Sequence, residues 1–137
     1  YTHFDDPSGL SAGNVSTASN VTTMVVSAGY YRQIREISTK KTATILTQVK
    51  HKNRVLILHN TNTAILSQVD GIELSKTGFT NPAGFCVAIL VEKNVGDETH
   101  HQVIVVMGAR NPAQRVDTVK KFVYNNSIGD DYVTSGI

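Results

Sequence analysis

A single cysteine, Cys86, stands among 137 residues, so no internal disulfide can staple this chain. Its place in an apolar run marks it as a buried spectator rather than a reactive thiol. No stretch reaches the roughly 18 apolar residues of a membrane-spanning helix, and no signal peptide is visible. Aromatics are sparse at 7%. The densest basic stretch, Lys40-Lys41 to Arg54, therefore has little with which to stack bases, and nucleic-acid binding is not expected. Gly9, Gly13 and Gly29 match no phosphate-cradling pattern, which leaves nucleotide chemistry without a site. His100 and His101 are neighbours on a strand-like run and point to opposite faces, so the two cannot chelate one metal. His3 with Asp5 and Asp6 reads as a polar loop, and His51 and His59 lack metal-ligand spacing. Neither a metal nor a cofactor is expected. Repeats and low-complexity tracts are absent.

What remains is an ordinary globular composition, 40% hydrophobic and 18% charged with a net charge of +2, of a length for one domain or part of one. Asp6-Pro7-Ser8-Gly9 is a turn by composition. Ser16 is the expected N-cap of a helix over about 17–28, with Val21, Met24, Val25 and Ala28 as its apolar stripe and Gly29 as its end. A short helix over about 31–37 follows, then two strands (about 42–50 and 54–58) with a tight connection, and a helical turn near 63–67. Strand-like runs over about 73–80, 84–93 and 101–109 have connections too short for helical crossovers, which predicts an antiparallel meander. Phe85 to Val91 and Val103 to Met107 are apolar at every position, so both sheet faces should be covered. Asn111 as N-cap and Pro112 at N1 begin a helix whose Val116, Val119, Phe122 and Val123 supply one cover. The other cover is not evident and is expected from helices outside the chain. Residues 126–137 read as a polar tail or linker.

The chemistry-bearing motif is Lys76-Thr77-Gly78 on the first run of the meander, followed by Thr80-Asn81-x-Ala83-Gly84-x-Cys86. Upstream stand His3-Phe4-x-Asp6-Pro7-Ser8-Gly9-Leu10-Ser11, Asn14-x-Ser16-Thr17-Ala18, Tyr31-Arg32-x-Ile34-Arg35 and Asn60-Thr61-Asn62. In order and spacing these resemble the C-terminal half of low-molecular-weight penicillin-binding proteins, the serine-type D-alanyl-D-alanine carboxypeptidases and endopeptidases, over about residues 1–125. The resemblance implies an α/β fold of α+β type, β-lactamase/transpeptidase-like, with an antiparallel sheet flanked by helices. It implies that Lys76 and Thr77 hold a substrate carboxylate, that Gly78 leaves room for a peptide along the strand edge, and that the backbone N–H of Phe79 is one oxyanion donor.

The family's Ser-x-x-Lys nucleophile and Ser-x-Asn motifs precede Lys-Thr-Gly and are not found here in their places. Ser38-Thr39-Lys40-Lys41 satisfies the first pattern, but it lies after the Asp-Pro-Ser-Gly-Leu stretch and at the end of a helix, whereas the nucleophile begins one. No catalytic residue is therefore assigned in this chain, and the nucleophile, with any signal, is expected upstream of Tyr1. The implied partners are a peptidoglycan peptide ending in D-Ala-D-Ala and, with the nucleophile present, β-lactams. The implied location is extracytoplasmic. The alternative is a catalytically inactive, peptidase-like module with a structural or cell-wall-binding role in a larger assembly such as a virion.

Overall fold

Val87, Ala88, Ile89, Leu90 and Val91 are all buried, because the strand that carries them has a helix on each of its faces. The computed structural model describes residues 1–49 and 51–125; the expected tail over 126–137 lies outside the described residues. In chain order the elements are α1 (Ala18–Gly29), α2 (Arg32–Thr39), β1 (Thr42–Val49), β2 (Lys52–His59), α3 (Thr63–Leu66), β3 (Ile72–Thr80), β4 (Gly84–Val95), β5 (Glu98–Ala109) and α4 (Pro112–Asn125). β3, β4 and β5 form an antiparallel sheet in that order, and β1 and β2 pair as a separate hairpin.

The alternation of side chains along β4 divides the core in two. Val87, Ile89 and Val91 join Ile104, Val106, Ile65 and Val69 under α4, which contributes Val116, Val119 and Val123. Ala88 and Leu90 face the other way, with Leu74 and Val25, and Val21 and Ala28 of α1 pack against them. The second cover, expected from outside the chain, is thus partly supplied by α1. Sequence reading missed this because the stripe of α1 is short, with only Val25 fully buried. Two caps resolve with different outcomes. Asn111 Oδ1 accepts from the Gln114 N–H at 2.8 Å, the expected role. At α1, however, Thr17 and not Ser16 is the N-cap, its hydroxyl accepting from the Asn20 N–H, while Ser16 bonds Thr2 instead.

Cys86 is half-buried, not fully buried, with its Sγ 3.4 Å from the Ala83 carbonyl oxygen. A glycine is demanded where β4 begins. Gly84 has φ of 67°, and a Cβ there would stand 3.0 Å from the Ala109 carbonyl oxygen of β5; both the conformation and the close approach exclude other residues. The N-terminal segment is tied by a bridge between His3 and Val15 and by Asp6, whose carboxylate accepts from the Asn14 amide and the Gly9 N–H. Those bonds, Asn14 first, hold the Asp6 carboxyl below its usual range.

Candidate functional site

Among the described residues β3 pairs with β4 on one side only, and its other edge meets no strand. One contact fixes which backbone groups look outward. The Ser75 N–H donates to Ser38 Oγ of α2 at 3.2 Å, away from β4. The alternation of an antiparallel strand then puts the N–H and C=O of Thr77 and Phe79 on the same outer edge. The Lys76 ammonium is folded onto that edge, donating to the Thr77 carbonyl. Lys76 is exposed.

The residues behind this edge hold it in place. Asn62, 1% exposed, donates from Nδ2 to Ser75 Oγ at 2.6 Å, and Thr61 Oγ1 lies 2.6 Å from Thr77 Oγ1. Asn60 reaches back from its Nδ2 to the carbonyls of Ser38 and Lys40, joining the foot of the hairpin to the end of α2. In the sequence Asn60-Thr61-Asn62 is only part of a pattern. The structure makes it the bracket of the Lys-Thr-Gly strand, which a one-dimensional reading misses because the partners lie up to 22 residues apart.

Two grooves meet at Lys76 and Thr77. One, about 490 Å³, lies beyond the free edge between α2 and the hairpin foot, with Ile34, Ile37, His59 and Asn60 on its walls. The other, about 380 Å³, runs over the α1 face past Met24, Gly78, Cys86 and Met107 and is almost wholly apolar. Phe79 is on the opposite face, its ring tilted 31° against that of Phe85 with centroids 4.3 Å apart. Behind Phe85 sits Arg115, its guanidinium 6.0 Å from the ring centroid and its Nη1 donating to the Cys86 carbonyl. Burial lowers the pKa of this arginine, and its Nε has no partner among the described residues.

Gly78 is not required by the fold. Its φ is not in the left-handed region, and an added Cβ would meet only Cys86 Cβ at 3.9 Å, an ordinary contact. Since glycine in a strand interior costs about 0.5–1 kcal/mol relative to alanine, Gly78→Ala should hold or raise the melting temperature. A thermal melt checks this, and a marked fall would show that the glycine serves packing.

Ser38 does not begin a helix; it is the penultimate residue of α2. Its hydroxyl is engaged on both sides, donating to the Arg35 carbonyl and accepting from Ser75. That is a structural tie, not an activated nucleophile. Sequence order alone argued this, and the geometry agrees. His100 and His101 point to opposite faces as expected, each to a different glutamate.

The family model for D-alanyl-D-alanine carboxypeptidase matches residues 1–111. The chain belongs to this family. The match takes in the whole of β3–β5 and stops just before α4. The chain is 34% identical over 110 residues to a D-alanyl-D-alanine endopeptidase of Escherichia coli, covering 72% of this chain and 35% of that protein. It is 39% identical over 88 residues to one of Pseudomonas aeruginosa, covering 64% of this chain and 28% of that protein. Its fold superposes on a Streptomyces DD-transpeptidase crystal structure with a TM-score of 0.73 and 27% identity, over 88% of this chain and 45% of that one. A Mycobacterium tuberculosis D-alanyl-D-alanine carboxypeptidase, 19% identical with a TM-score of 0.69, shares the fold. The chain thus spans about a third of the length of these curated carboxypeptidase-family relatives and is part of a penicillin-binding fold. Among the described residues, no helix is long and apolar enough to cross a membrane.

Proposed function

We propose that this chain is the substrate-holding part of a serine-type D-alanyl-D-alanine carboxypeptidase or endopeptidase. It would act outside the cytoplasm on peptidoglycan peptides, with its Ser-x-x-Lys nucleophile upstream of Tyr1. The observation that carries the reading is the outer edge of β3, where the N–H groups of Thr77 and Phe79 face outward and Lys76 and Thr77 border one open groove.

A peptide laid along this edge as an added strand finds backbone partners in Thr77 and Phe79. Its terminal carboxylate meets the Lys76 ammonium and the Thr77 hydroxyl, a charge-assisted pairing. Gly78 presents no side chain to obstruct it. The Phe79 N–H then points at the scissile carbonyl oxygen. The serine attacks that carbonyl, the tetrahedral oxyanion is held by Phe79 and by the serine's own N–H, and the C–N bond breaks to release the C-terminal amine. Water then hydrolyses the acyl-enzyme. A preorganised donor of this kind lowers the barrier by about 3–4 kcal/mol. A β-lactam would acylate the same serine, and its carboxylate would occupy the same place.

Fluorescent penicillin followed by denaturing electrophoresis tests the assignment. The 137-residue chain should carry no label. The protein extended upstream through the nucleophile should be labelled, and Ser38→Ala should not change that. A band from the short chain that vanished with Ser38→Ala would overturn the assignment. An unlabelled, folded extended protein would leave a peptide-holding module without catalysis.

A further inference from the structure

At the end of β3 remote from Gly78, its neighbours β4 and β5 bring a second group of side chains together. Glu73, Glu92 and His101 each present one ligating atom, and the three atoms lie within 4.8 Å of one another. Glu92 and His101 are register partners on β4 and β5. Glu73 sits in the register shift of β3 between Ile72 and Leu74, an irregularity that re-aims a side chain. Its Oε2 is 3.1 Å from His101 Nε2, is sealed from solvent, and accepts no hydrogen bond among the described residues. Arg35 approaches only the other oxygen, Oε1, at 3.5 Å.

Two carboxyl groups, those of Glu73 and Glu92, thus share this corner of the sheet with one guanidinium, that of Arg35. A cavity of about 260 Å³ adjoins the group, walled by Glu73, His101 and Arg35 and by Val26, Gly29 and Tyr30 at the end of α1. The last turn of α1 carries no basic side chain, so its carbonyl end adds negative potential there.

We propose that Glu73, Glu92 and His101 form a binding site for a divalent transition-metal ion of the Zn²⁺ class. Glu73 Oε2, one Glu92 oxygen and His101 Nε2 are the protein ligands, and water completes the shell. One imidazole with two carboxylates suits Zn²⁺; Ca²⁺ and Mg²⁺ favour all-oxygen sets, and no thiolate is present for softer ions. Metal–ligand bonds of about 2.0–2.2 Å require the donors to draw in. Glu92 and His101 are exposed and free to do so, while half-buried Glu73 is the fixed post. A bound ion would cross-link β3, β4 and β5 just before Lys76. This site stands independently of the peptidase reading.

Calorimetric titration of the full chain with Zn²⁺, visible absorption with Co²⁺ as a spectroscopic probe, and melts with and without metal test the proposal. Expected are one equivalent bound, a raised melting temperature, and affinity weakened at least about tenfold by either His101→Ala or Glu92→Gln. Both residues are exposed, so metal-free melts of these variants should match the parent. His3→Ala, at the separate His3–Asp5 pair, should leave binding unchanged. Absence of micromolar Zn²⁺ binding in the folded chain would overturn the site. So would undiminished binding by both His101→Ala and Glu92→Gln, or loss confined to His3→Ala.

Discussion

Lys76→Ala, in the protein that carries the upstream nucleophile, should lower kcat/KM for D-alanyl-D-alanine peptides by about one to two decades while leaving the fold intact. The kinetic loss follows from removing a charge-assisted hydrogen bond to the substrate carboxylate, worth about 1.5–3 kcal/mol. The indifference of the fold follows from the structure: Lys76 is exposed and, among the described residues, its ammonium hydrogen-bonds only the carbonyl of the next residue. Truncation opens no cavity, and the stability change should stay within about 0.5 kcal/mol. Thr77→Val should shift kinetics the same way but less, since a neutral partner is lost and the shape kept. It should also loosen the Thr61 contact behind the strand. Steady-state kinetics on a diacetyl-lysyl-D-alanyl-D-alanine substrate, run beside thermal melts, separates binding from folding. Unchanged kinetics in a well-folded Lys76→Ala protein would remove the carboxylate-binding role.

Ile89→Ala should have the opposite signature, unfolding the protein without touching the site's chemistry. Ile89 is 0% exposed, at the centre of the β4 face that packs beneath α4. Large-to-small changes of this kind cost about 2–5 kcal/mol, because the surroundings close only partly on the void. That is a large share of the ~5–15 kcal/mol that holds a typical domain together. Ile89→Val, which removes one methylene, should cost only about 0.5–1.5 kcal/mol. Urea unfolding curves at equal slope measure both. An Ile89→Ala loss below about 1 kcal/mol would mean that the two-layer core is not the main source of stability.

The two substitutions also separate what was legible in the residues from what was not. Burial at Ile89 was readable in advance, because an uninterrupted apolar run between turn residues has no solvent-facing positions to offer. The meander was readable from loop lengths, and α4 from Asn111 and Pro112 at its start. The resemblance to the family was readable from the motifs and their spacing, and the family match over residues 1–111 bears it out.

Other features became visible only in the folded chain. The second sheet face is partly covered by α1, which its sequence does not announce, because which helix lands on which face is decided by packing and not by the helix's own pattern. The Ser16 cap failed since two adjacent hydroxyls compete for one role, and Thr17 holds the extended backbone just before the helix. The bracket of Thr61 and Asn62 on β3, and the grouping of Glu73 with Glu92 and His101, depend on strand register and on one irregularity in β3. Sequence by itself determined the elements and the apolar strands, since these rest on local backbone preference and on side-chain periodicity. Tertiary structure alone decided that, among the described residues, the outer edge of the Lys-Thr-Gly strand meets no other strand and that Ser38 sits against it to receive the Ser75 N–H, with Lys76 and Thr77 beside an open groove. Edge and register belong to pairs of segments far apart in the chain, so no single segment encodes them.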